Sequence, residues 1–142
     1  MNTAEKDERL LLEKALVKKY SPGFKMYERR GIHFFSGWIT TEINKYKLRL
    51  VLDQMHPYVA PRMFIVSPRV LHMYGGQGTI NSRGISHAFH TVSDGSGDRV
   101  QISYTGSWDA SCTCLMAIIK SIAWINGYEE HVRTGRDIKD VL

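Results

Sequence analysis

The chain has 142 residues, of which 43% are apolar and 23% charged, a length and balance that suit one domain over 1–142 with a core of its own and no need of staples. Two cysteines at i, i+2 cannot easily bridge, which excludes a disulfide-built secreted scaffold and makes a reducing, cytoplasmic setting the expectation. The net charge of +5 permits an acidic partner, but lysines and arginines are scattered in ones and twos, so nucleic acid is not the expected partner.

The N-terminal stretch MNTAEKDERLLLEKALVKKY predicts a helix from about residue 4 to 20. Thr3 is its expected cap, Glu5 and Asp7 suit its first turn, Leu11, Leu12, Ala15 and Leu16 form its expected apolar face, and Pro22-Gly23 ends it. The stretch lacks the apolar run of a signal peptide, and the chain has no apolar run of membrane-spanning length, so neither export by that route nor a membrane partner is expected.

Three extended segments follow: IHFFSGWITT, KYKLRLVLDQ and RMFIVS. In the second, Tyr46, Leu48, Leu50 and Leu52 alternate with Lys47, Arg49 and Val51, as in an antiparallel meander with one wet face. Pro57 and Pro61 in HPYVAP favour extended or turning backbone. From Pro68 to Asp98 the chain is rich in Gly, Ser, His and Asn without a period, and so long an irregular segment is more often functional than linking. A core helix is predicted from Ser111 or Cys112 to Val132, with Leu115, Ile118, Ile119, Ile122 and Ile125 at helical spacing and Gly135 near its end.

The segments LVLDQMHPYVAPRMFIVSP, HTVSDGSGDRVQISYTGSWDAS and IIKSIAWINGYEEHVRTG, in this order, resemble the ubiquitin-conjugating enzyme family, the last being similar to the ending of bacterial members. His56 stands where the family's turn usually has an aromatic residue. The resemblance covers about residues 4 to 136. It implies an α+β fold: an N-terminal helix, an antiparallel meander of about four strands, a long irregular active-site loop and a long C-terminal core helix.

The family's catalytic cysteine precedes the tryptophan by six to eight residues. Counted back from Trp108, that slot holds Gln101, whose amide cannot carry a thioester. Cys112 and Cys114 fall after the tryptophan, and they are read first as small side chains filling the base of the core helix. A helix N-terminus lowers a thiol's pKa, which keeps Cys112 open as a nucleophile. Ser103, two residues past Gln101 and on the same side of an extended segment, is a second possible acyl carrier, as an oxyester. By resemblance, His90 braces the loop, Trp108 packs at a family position, and Asp94 and Asp109 flank the slot. His87 and His90 do not have the spacing of a recognised zinc site, so neither a metal nor a cofactor is expected. Trp108 and Trp124 are read as packing residues rather than stacking platforms.

These readings point to a non-catalytic, conjugating-enzyme-like helper. By resemblance its partner is a ubiquitin-like protein, an activating enzyme or another conjugating enzyme, in a bacterial pathway that family association links to antiphage defence. Two alternatives stay open: a transferase using Ser103, Cys112 or Cys114, and a basic nucleic-acid-binding module supported by the charge balance alone.

Overall fold

The structure, a computed structural model, describes residues 1–92, 99–104 and 106–142. Helix α1 (Thr3–Tyr20) is followed by strands β1 (Lys25–Arg29), β2 (Ile32–Thr40), β3 (Lys45–Val51), β4 (Arg62–Ser67), β5 (Thr91–Val92) and β6 (Val100–Ile102), and then by helix α2 (Cys114–Thr134). All strand pairs are antiparallel, in the order β1-β2-β3-β4-β6-β5. The class is therefore α+β with an N-terminal helix, a six-stranded antiparallel sheet and a C-terminal helix. The sheet is wider than the expected four strands: KMYER adds a strand at one edge, and two short strands extend the other.

Alternation along β3 decides which sheet face is dry. Tyr46, Leu48 and Leu50 are buried with Phe35 and Ile39 of β2 and Met63 and Ile65 of β4, beneath Ala117, Ile118, Trp124 and Ile125 of α2. Burying one face of each element against the other is what makes the two layers one core. Trp124 stacks on Tyr128 with ring centres 5.8 Å apart and donates its indole N–H to the Phe89 carbonyl at 2.8 Å.

Both helices start and face differently from their sequence expectations. Asn2, not Thr3, caps α1, its side chain accepting from the Glu5 amide at 2.9 Å. The buried residues of α1 are Glu13 and Val17, whereas Leu11 and Leu12 are exposed. Thr113 caps α2 and accepts from the Met116 amide, so Cys112 lies just before the helix rather than in its first turn. Ile119, expected on the core face of α2, is exposed. At the other end Gly135 takes a left-handed conformation (φ 81°) and donates its N–H to the His131 carbonyl, an ending that glycine adopts without steric cost.

The segment expected to be irregular contains two short 3-10 turns, Tyr74–Gly76 and Ile80–Arg83, before β5. Asn81 ties them down, accepting from the Leu71 amide at 2.9 Å and donating to the Arg69 carbonyl at 2.8 Å. Tyr128 of α2 donates to the His72 carbonyl, and the Tyr74 amide donates to Nε2 of the buried His131.

Candidate functional site

Helix α1, the turn after β3 and the first residue of α2 meet at a buried carboxylate. Glu13 is fully buried, as is Cys114, and His56 is nearly so. Glu13 Oε2 lies 2.6 Å from His56 Nε2 and 3.1 Å from the Cys114 sulfur, and the Cys114 amide donates to Glu13 Oε1 at 3.1 Å. Arg9, one turn earlier on α1, has its Nε 3.6 Å from the same oxygen and donates its guanidinium N–H groups to the carbonyls of Ala110 and Cys112. Glu13 thus takes up an amide N–H at the start of α2, where negative charge is favoured by the helix dipole.

Burial alone would push the Glu13 carboxyl up. The hydrogen bonds from His56 and Cys114 outweigh it and hold the group below the usual carboxylate range. The same contact acts in reverse on the thiol: burial and the neighbouring negative charge raise Cys114 well above its ordinary value. A protonated, fully buried thiol that donates to a carboxylate is a hydrogen-bonding group and a poor nucleophile.

Glu13, His56 and Cys114 offer oxygen, nitrogen and sulfur atoms within 4.8 Å of one another, in the range of zinc donors. Glu13 is, however, already engaged by N–H and S–H donors, and the Arg9 guanidinium beside it opposes a second cation. The geometry is that of a hydrogen-bonded hub. His56 also lines an open cleft of about 370 Å³ together with Arg9, Leu10, His33 and Leu52, and its buried Nδ1 has no hydrogen-bond partner among the described residues.

Cys112 is buried and separate from this hub. Its sulfur lies 3.8 Å from the Ser107 carbonyl and 4.0 Å from Asp109 Oδ1. Asp109 is exposed and accepts from the Ser111 amide at 2.8 Å and from the Ser111 hydroxyl, which hold its carboxyl below the usual range. Trp108 is half-buried, donates its indole N–H to the Pro57 carbonyl at 2.8 Å and meets the Tyr104 ring edge-on at 5.2 Å. The tryptophan therefore pins the HPYVAP turn to the segment leading into α2.

Gln101 sits in β6 opposite Phe64 of β4 and Val92 of β5, on the sheet face turned away from α2. Ser103 lies one residue past the end of β6 at Ile102. It lines a pocket of about 560 Å³ with Lys120, Ala123 and Trp124 of α2, and its amide donates to the His90 carbonyl at 2.8 Å. His90 adopts a left-handed backbone (φ 49°), with its ring 5.6 Å from that of His87. Burial, His87 and Lys139 lower its pKa. Asp94 lies outside the described residues.

The structure therefore brings together Cys114 with Glu13 and His56, and does not assemble Gln101, Ser103 and the thiols into one site. Glu13 escaped the sequence reading because apolar periodicity selected the neighbouring leucines. The available signal was His56, a polar residue where an apolar ring was expected. Searches against protein-family models, curated proteins and solved structures find no match to this chain, so its function is argued from its own residues.

Proposed function

We propose that the chain is a non-catalytic binding component of a ubiquitin-like protein conjugation pathway, built like a ubiquitin-conjugating enzyme but without its acyl-carrying thiol. One observation carries the reading: a glutamine occupies the slot of the family resemblance, while both cysteines are buried, one of them held protonated beside Glu13. A conjugating enzyme needs an accessible thiolate, and no exposed thiol exists in this chain. Exposed Tyr58 and Val59 on the HPYVAP turn, with Met55 just before it, provide an apolar surface suited to a protein partner.

The test is a charging reaction with an activating enzyme, ATP and a ubiquitin-like protein. The expected result is binding without a covalent adduct. An adduct cleaved by thiol reductant would overturn the reading in favour of Cys112 or Cys114, and one that survives reductant but yields to hydroxylamine and is lost in Ser103→Ala would assign an oxyester. Gln101→Cys is expected to form a weak, thiol-labile adduct.

A further inference from the structure

The sheet has a second face, which neither helix covers. On it lie the residues that alternate with the buried ones. Register places Tyr27 of β1 beside Phe34 of β2, Trp38 of β2 beside Lys47 of β3, and Arg49 of β3 between Ser36 and Phe64. Lys25, Arg29, Lys45, Lys47, Arg49 and Arg62 occupy outward positions of β1, β3 and β4, and these six exceed the whole excess of +5 carried by the chain. No outward position of β1 to β4 or β6 carries a carboxylate; Glu28 of β1 points the other way and pairs with His33 at 3.4 Å.

Among the described residues none of these six cations pairs with a carboxylate. Arg49 Nε is buried without a hydrogen-bond partner among the described residues, and its guanidinium lies over the Phe34 ring at 5.2 Å. Burial and the nearby Arg99 and Arg29 charges lower its pKa. Gathering like charge on a bare surface costs stability, and an anionic occupant would relieve that cost.

The aromatic side chains narrow the occupant. Tyr27 and Trp38 are about half exposed (50% and 47%), and Lys45 and Lys47 sit 4.8 and 5.9 Å from the Trp38 ring centre. An acidic protein surface needs the cations alone. A single-stranded nucleic acid uses both features, since its phosphates meet ammonium and guanidinium groups while its unpaired bases stack on exposed rings.

We propose that this open face, from Tyr27 and Arg29 across Trp38 and Lys47 to Arg49 and Phe64, binds single-stranded nucleic acid without sequence preference. This takes up the nucleic-acid alternative that the charge balance alone left open, now on the register of the sheet, and does not depend on the conjugation reading, which the charging reaction tests separately.

The experiment is fluorescence anisotropy of the full chain with a labelled oligothymidylate of about 12 nucleotides, with the matching duplex, heparin and polyglutamate as competitors. The strand should bind more tightly than the duplex. With four to six phosphate contacts, log affinity should fall with log salt at a slope of about −3 to −4. Trp38→Ala should weaken binding about tenfold through lost stacking, and Lys45→Glu with Lys47→Glu by more, with circular dichroism and melting unchanged. Should the double variant unfold, Arg62→Glu at an exposed position reads the same charge effect. Absence of binding at low salt overturns the proposal. So does binding that polyglutamate competes away equally well and Trp38→Ala leaves unaltered, which would mark the face as a surface for acidic proteins, or binding that the duplex competes away equally well, which would remove the part played by unpaired bases.

Discussion

At Glu13 one carboxylate joins three segments that are far apart in the chain. Replacing it by glutamine keeps the shape but removes the charge that faces Arg9 and His56, and breaking a buried pair in this way should cost about 3 kcal/mol, read as a lower urea midpoint. The cost should depend on pH in a defined direction. The folded carboxyl is held below its unfolded value of about 4.3, so its ionised form stabilises the fold above that pH, and this contribution disappears as pH falls through the folded value. The gap between the natural chain and Glu13→Gln should therefore narrow below about pH 4. A gap that widened in acid would show that the carboxyl is raised rather than lowered.

At Gly37, β2 approaches the segment after α1 closely. A side-chain carbon at Gly37 would lie 2.7 Å from both the Gly23 carbonyl and the Phe24 ring. Phe24 is buried in the core, so the ring cannot simply swing out. Gly37→Ala should therefore destabilise by about 1–3 kcal/mol through overpacking. Gly23→Ala, where nothing lies within 4 Å, should stay within about 0.5 kcal/mol. Equal melting temperatures for the two variants would refute the close approach. The neighbouring strand β1 shows how a short strand can be overlooked: it carries the exposed Lys25, Tyr27, Glu28 and Arg29, too polar for hydrophobic alternation to reveal it.

For the whole molecule, the junction of α1 with α2 should report on global opening. Cys114 is fully buried and Cys112 nearly so, and Arg9 and Glu13 hold both segments from α1. Neither thiol should react with a disulfide reagent at a rate above that of unfolding, and both should react at once in denaturant. Fast reaction of either thiol in the native protein would mean that α1 detaches locally.

Sequence by itself determined the two helices, the three central strands and the end of the core helix, because each depends on local periodicity, proline or a terminal glycine. The burial of the cysteines also followed from their type. It could not determine which face of α1 is buried, since that was decided by Glu13 meeting a histidine 43 residues away and a helix start 101 residues away. Nor could it show that scattered lysines and arginines converge on one surface. Residues two apart on a strand share a face, but only strand pairing sets Trp38 beside Lys47 and Arg49 beside Phe64. A linear reading sees cations in ones and twos, whereas the pleat and the register add them together.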